Sequence, residues 1–398
     1  MNSQPLSASD RNSPASVAII DAARTVIAER GLGGMSLRVV AEQAAASVGS
    51  INYRIGDRAA LVDAVTQREI DLLRSEREVW RARMEGTDPV AAGVLADLVC
   101  EWLDGGARQR RVSTIVTAEL ILKASRDIAA APLAGALIAE QAALWRDILH
   151  ASPHGEQLSD LISAYCRDEQ PFSVLFVDML DYRLLRHSTV RALLRDRTAP
   201  ARPEWGVWHM GLVDRLAAPA AAALDAGEPD PQGMRARLAE DIADLIISDG
   251  VDAVGHRSVA QAAGVAVSSV AHHYPTLRDL VFGGVEALYR RMRAELKQAA
   301  GAAPSGSAVI RLTHETALAA SRDEAFSPFA IDMRRRRAEN VHQDVARALG
   351  IAPGADRALT QAVVVAAIGR HVGVLATGQP SETLAAFVER SFRAVQTF

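Results

Sequence analysis

The hydrophobic positions along the chain repeat at helical spacing. Val17, Ile20, Ala23 and Ile27 lie three and four positions apart, which places them on one face of a helix that Gly31 stops. Ser36 is placed to cap a second helix whose apolar positions are Leu37, Val40 and Ala44. Ala45-Ala46 reads as a turn and Ser47 as the cap of a short third helix running to about Tyr53. After a break at Gly56, Asp57 caps a long helix from Arg58. Helical patterning continues to about Leu224, and no convincing period-two strand interrupts it. From Gly227 to Gly233 two prolines and two glycines fall within seven residues, which cannot propagate a helix and marks a linker. The pattern then restarts. Leu238, Ile242, Leu245 and Ile246 form a face that Gly250 stops, a helix runs from about Arg257 to Ala263, and Gly264-Val265 turns into a short helix ending at His273. Pro275-Thr276 opens the next long helix, with Thr276 as its cap.

The restart is a repeat. Ala45 corresponds to Gly264, Val48 to Val267, Ser50 to Ser269 and Leu61 to Leu280, each 219 positions apart, and Gly31/Gly250, Arg38/Arg257 and Val40-Ala41/Val259-Ala260 keep that register without gaps. A shorter match follows, in which Glu119 and Ser125-Arg126-Asp127 recur as Glu315 and Ser321-Arg322-Asp323 at a separation of 196. Such distances far exceed solenoid periods and point to duplication of a whole protein. The expected fold is all-α. It comprises a flexible tail (1–16), a first helix-turn-helix head (17–63), a first helical body (64–225), a linker (226–235), a second head (236–283) and a second body (284–398).

Both heads resemble the TetR family of transcriptional regulators. The first carries Ser36-Leu37-Arg38-Val39-Val40-Ala41, then Ala44-Ala45-Ala46-Ser47-Val48-Gly49-Ser50-Ile51-Asn52-Tyr53-Arg54-Ile55, then Arg58 and Leu61. The second carries Ala263-Gly264-Val265-Ala266-Val267-Ser268-Ser269-Val270-Ala271-His272-His273-Tyr274. The resemblance implies a DNA-binding head of about 50 residues followed by a variable helical body for ligand binding and dimerisation. It covers roughly a quarter of the chain firmly. Departures are informative. Ala45 stands where the family has glycine, a substitution a turn tolerates if φ stays negative. Arg54-Ile55 replaces His-Phe. In the second head Ala271 occupies the place of a DNA-contacting tyrosine, and Leu277 that of a phosphate-contacting lysine, with Arg278 next door as a substitute.

A recognition helix must offer polar side chains to base edges in the major groove. In the first head Asn52 suits adenine, Arg54 suits guanine and Val48 a thymine methyl, while Ser50 lies beside them and Gly49 permits close approach. Ser36, Arg38, Ser47, Tyr53 and Arg58 are placed for phosphates or at the exposed helix end. In the second head Val267, Ser268, Ser269, His272 and His273 form the equivalent set, with His256, Arg257, Thr276 and Arg278 near phosphates. Five arginines balance five acids across 17–63, whereas six acids outnumber three arginines across 237–282, so the second head is expected to bind DNA more weakly. Two heads on one chain would make a covalent pseudo-dimer with unlike readers; the alternative is a homodimer of chains with four heads.

Other features exclude alternatives. A net charge of −4 argues against a nucleic-acid coat protein. Lysine occurs only as Lys123 and Lys297, so phosphate contacts must come from arginine, hydroxyls and backbone N–H groups. Cys100 and Cys166 fit buried apolar positions better than a disulfide. The N-terminal residues have no signal-like apolar core and no run of about 18 apolar residues stands out, so a cytoplasmic protein without membrane contact is expected. His272-His273 lacks a companion ligand set, so no metal is expected, and no cofactor or hydrolase motif marks an enzyme. The run Arg334-Arg335-Arg336-Arg337 reads as a solvated helix face. Trp102, Trp145, Tyr182 and His314 are weak candidates for lining an effector pocket, against ordinary core packing. The rival to a DNA-binding regulator with a small, apolar effector is a degenerate relative that binds a partner protein or ligand instead.

Overall fold

A computed structural model describes residues 13–195, 203–217, 233–298 and 307–392, and every regular element among them is helical. Most of the expected tail and linker lies outside the described residues. The first head is built from α1 (Pro14–Gly34), α2 (Leu37–Gln43), α3 (Val48–Arg54) and the start of α4 (Arg58–Arg83). Its caps are those the polar pattern predicts. Ser36 Oγ accepts from the Val39 N–H, Ser47 Oγ from Ser50 at 3.0 Å, and the Asp57 carboxylate from Ala60 at 2.9 Å. Gly31 breaks α1 with a φ of 77°.

Five helices complete the first half: α5 (Leu95–Ala107), α6 (Arg111–Ala124), α7 (Ala131–Ile148), α8 (Gly155–Leu175) and α9 (Leu180–Leu194). They are followed by α10 (Pro203–Arg215). The second head comprises α11 (Met234–Asp249), α12 (His256–Ala263), α13 (Val267–His273) and the start of α14 (Leu277–Gln298). Thr276 and Asp279 cap α14 reciprocally: Thr276 Oγ1 accepts from the Asp279 N–H at 3.1 Å and the Asp279 carboxylate accepts from the Thr276 N–H at 3.0 Å. Then come α15 (Ser307–Ala320), α16 (Ser327–Arg335), α17 (His342–Leu349), α18 (Arg357–Thr377) and α19 (Leu384–Phe392). The matches at separation 196 share local structure. Asp127 and Asp323 each cap a three-residue 3₁₀ turn, at Ile128–Ala130 and Glu324–Phe326, and Ser125 and Ser321 each donate at 2.7 Å to a carbonyl three residues earlier.

The two halves share cores. The buried residues of the first head, Ile20, Ile27, Val40, Ile51 and Leu61 among them, continue into Leu120 of α6 and into Val372 and Ala376 of α18. The buried residues of the second head continue into Phe172 of α8, Leu185 of α9 and Leu212 of α10. At the centre α8 lies against α18. Gly369 approaches so closely that a Cβ there would come within 1.9 Å of the Ala164 carbonyl oxygen, and Arg167 Nη1 donates to the Gly369 carbonyl at 3.0 Å.

Two sequence expectations are corrected here. The segments 128–148 and 357–377 are each long and apolar enough to cross a membrane. In this fold the latter is a mostly buried core helix and the former packs along α4 and α8. The arginine run is not a solvated face. Arg334 is fully buried, and Arg335 and Arg337 are 8% exposed. Arg334 pairs with Glu169 of α8 at 2.7 Å, and Arg337 with Asp168 at 2.9 Å. Carboxylates far away in sequence thus draw these cations inward.

Candidate DNA-binding heads and the cavities behind them

The two-turn helix α3 is held by one buried residue, Ile51, while Val48, Gly49, Asn52 and Tyr53 face outward; Tyr53 is 77% exposed. Ser50 and Arg54 are half-exposed beside them, and Ser36, Arg38 and Ser47 are exposed on the same head. Arg38 pairs loosely with Glu42 at 3.3 Å. Arg58 is exposed yet committed in part: Nε donates to the Met35 carbonyl at 2.9 Å and Nη2 to the Leu32 carbonyl at 2.7 Å, tying the end of α1 to α4.

The turn differs from the expectation. Ala45 has a φ of 47° and Gly264, its counterpart, 65°. The turn needs the left-handed conformation in both heads, and the first pays for it with a side chain there.

In the second head Val270 anchors α13, with Val267, Ser268 and His272 exposed and Ser269 and His273 half-exposed. Arg257 and Thr276 are exposed too. Two expected phosphate contacts have other work. His256 Nε2 donates to the Tyr274 carbonyl at 2.8 Å, and Arg278 grips Asp323 with two N–H groups. Leu277, 55% exposed, adds apolar surface where a cation was missing. The His272 and His273 rings stand edge to face at 5.1 Å, and no group of three His, Cys, Asp or Glu able to hold a metal exists among the described residues.

Behind the first head a cavity of about 120 Å³ lies among α4 to α8. Trp102 and Trp145 line it with Glu69, Arg110, Gln141 and Cys166. The Arg110 guanidinium lies 3.6 Å from the Trp102 ring centre. Burial raises the Glu69 pKa, opposed by Arg24 at 2.6 Å. Burial pushes the Cys166 thiol above its ordinary value, so it is no ready nucleophile. Tyr182 and His314 do not line this cavity. Tyr182 donates to Glu169 at 2.6 Å and His314 lies 3.2 Å from Asp168, both within the buried network that holds Arg334 and Arg337. Burial and the charge on Glu169 hold the Tyr182 hydroxyl protonated.

A second cavity, of about 280 Å³, lies between the heads. Glu119, Arg126, Glu315 and Arg322 line it with Arg58. These residues form crossed ion pairs, Glu119 with Arg322 and Arg126 with Glu315. The sequence held their signal, because these four are the residues repeated at separation 196, but not their pairing.

No curated protein matches the chain. Residues 19–65, from within α1 to within α4, match the family model described as bacterial regulatory proteins, tetR family, so the first head is similar to the helix-turn-helix DNA-binding segment of those transcriptional regulators.

Proposed function

We propose that the chain is a cytoplasmic, ligand-responsive transcriptional regulator of the TetR type, a repressor that binds operator DNA as a single-chain pseudo-dimer. Its units would be the heads 17–63 and 236–283 with the bodies 64–225 and 284–398, joined by the linker 226–235. The observation that carries this reading is the match over residues 19–65 together with the outward face of α3, where Asn52, Tyr53 and Arg54 stand clear of the core. The reciprocal ion pairs between Glu119, Arg322, Arg126 and Glu315 and the close contact of α8 with α18 support the pseudo-dimer. Because α3 and α13 differ, the operator would be an imperfect palindrome with half-sites about one helical turn apart. Ser36, Arg38, Ser47 and Arg58 are assigned to phosphates, and Val48, Gly49, Ser50, Asn52, Tyr53 and Arg54 to the groove. The second set, Arg257, Val267, Ser268, Ser269, His272, His273 and Thr276, makes a weaker reader.

The effector would be a small molecule in the cavity beside Trp102 and Trp145, whose volume of about 120 Å³ lies below that of drug-sized pockets. Glu69, Arg110 and Gln141 in its wall favour a ligand with an apolar body and a polar group over a wholly apolar one.

Light scattering and footprinting test the assembly. A mass of one chain and protection of two unlike half-sites support it; a mass of two chains, or two copies of one longer element, overturns it.

A further inference from the structure

The buried arginine run opens onto a further cavity, apart from the two behind and between the heads. It has a volume of about 240 Å³ and lies between α10, the end of α16 and the start of α18, so both halves of the chain contribute to it. Arg335, Arg337, Arg357, His209 and Gln361 are among its walls.

Its cations are incompletely satisfied. Arg335 pairs through Nη2 with Asp332 at 2.5 Å, yet its Nε is buried without a hydrogen-bond partner among the described residues. Arg337 donates through Nη2 to Asp168 and Thr313, and its Nε is likewise buried and unpartnered. The half-buried Arg357 guanidinium takes part in no hydrogen bond or ion pair among the described residues. Burial lowers its pKa, with Glu339 the opposing charge. A buried N–H donor without a partner is costly, and each guanidinium has five N–H donors to satisfy.

In the cavity wall Arg335, Arg336, Arg337 and Arg357 outnumber the two acids, Glu339 and Asp214. Glu339 pairs with Arg336 at 2.6 Å, and Asp214 is exposed at the rim. His209 hydrogen-bonds Ser188 at 2.9 Å. Burial and the charges of Arg334 and Arg357 push its pKa down to about 3, so it is a neutral wall at ordinary pH. Gln361 donates its amide to the Arg335 and Arg337 carbonyls, at 2.9 and 3.3 Å, which fixes the backbone that carries both arginines.

We propose that this cavity binds a small organic anion, gripped by Arg357 and Arg335. A guanidinium fork matches a carboxylate or a phosphate in geometry and charge. The volume falls below the roughly 300–1,000 Å³ of drug-sized pockets, which limits the ligand to a small polycarboxylate or a phosphate monoester. Anion binding here is independent of DNA binding.

The full-length protein is titrated with succinate, citrate and inorganic phosphate by calorimetry and by thermal melting, each against sodium chloride at equal ionic strength. At least one of the three is expected to bind saturably and raise the Tm. Binding by the carboxylates alone assigns a carboxylate ligand, and binding by phosphate alone a phosphoryl ligand. Arg357→Gln is expected to weaken binding at least tenfold, whereas Arg347→Gln, on the exposed face of α17, leaves it unchanged. Without ligand, Arg357→Gln should melt no lower than the parent, because it removes a cation that has no partner among the described residues. Three results overturn the proposal: all three anions act like chloride, Arg357→Gln binds as tightly as the parent, or Arg357→Gln without ligand melts well below the parent.

Discussion

Arg322 forms an ion pair with Glu119, 203 positions earlier in the chain. Arg126 forms the converse pair with Glu315. Reciprocity of this kind is the pattern of a two-fold contact, in which residue i meets j of the other half and j meets i. Each arginine also reaches a head. Arg322 donates to the Ile27 and Ala28 carbonyls at 3.4 Å, and Arg126 lies beside Gly250.

The crossed pairs should therefore set the geometry of both heads. Arg322→Ala leaves Glu119 largely buried without this partner and should cost about 1–3 kcal/mol of stability. Operator affinity should fall as well. The exchange Glu119→Arg with Arg322→Glu should recover most of the loss. Urea unfolding of the single and double variants checks this; a double variant as unstable as the sum of the singles would sink the idea.

Ala45 holds a left-handed conformation that its counterpart Gly264 adopts without a side chain. Relief of the left-handed strain, about 1–2 kcal/mol, outweighs the chain entropy of glycine, about 0.5–1 kcal/mol. Ala45→Gly should thus stabilise the first head by about 0.5–1 kcal/mol, and Gly264→Ala should destabilise the second by a similar amount. Hydrogen exchange of the head amides measures both, and destabilisation by Ala45→Gly would refute the argument.

The heads should rank unequally on DNA. Arg54→Ala should relax specificity at one base pair by about 1–3 kcal/mol. Arg278→Ala should matter little, because that guanidinium is held by Asp323. Anisotropy titrations at several salt concentrations separate base from phosphate contacts. A larger loss from Arg278→Ala or His273→Ala than from Arg54→Ala would reverse the ranking.

His209 gives a pH dependence of defined sign. Its folded pKa, about 3, lies below the ordinary 6.5. The unfolded chain then binds a proton that the folded one refuses, so the stability contributed is present above pH 6.5 and is lost as pH falls from there towards 3. The slope approaches about 1.4 kcal/mol per pH unit within that window. His209→Gln should flatten this part of the profile; an unchanged profile would show that His209 is not its source.

The short helices of residues 17–63 and 236–283 were legible because their determinants are local. Ser36, Ser47 and Asp57 cap helices that begin one residue later, and Ile51 and Val270 lie at the apolar positions of short amphipathic turns. The sign of φ at Ala45 was not legible, since alanine there announces no left-handed turn. Nor was the fate of Arg334: its partner Glu169 lies 165 positions away, and helical periodicity carries no information about so remote a charge. The same limit hid Arg278 from the reading of the second head. Its neighbours in sequence suggest a phosphate contact, but Asp323 belongs to another element.

The packing of α8 on α18 has a consequence for dosage. When such a contact joins separate subunits, dilution dissolves it, and at low copy number the paired state empties as the square of concentration. Here Gly369 and Ala164 belong to one molecule, so their contact cannot be diluted away. In the proposed single-chain pseudo-dimer, the fraction of molecules holding both heads together would be the same at one copy per cell as at a thousand. Such a single-chain regulator would also exchange no subunits with a related protein.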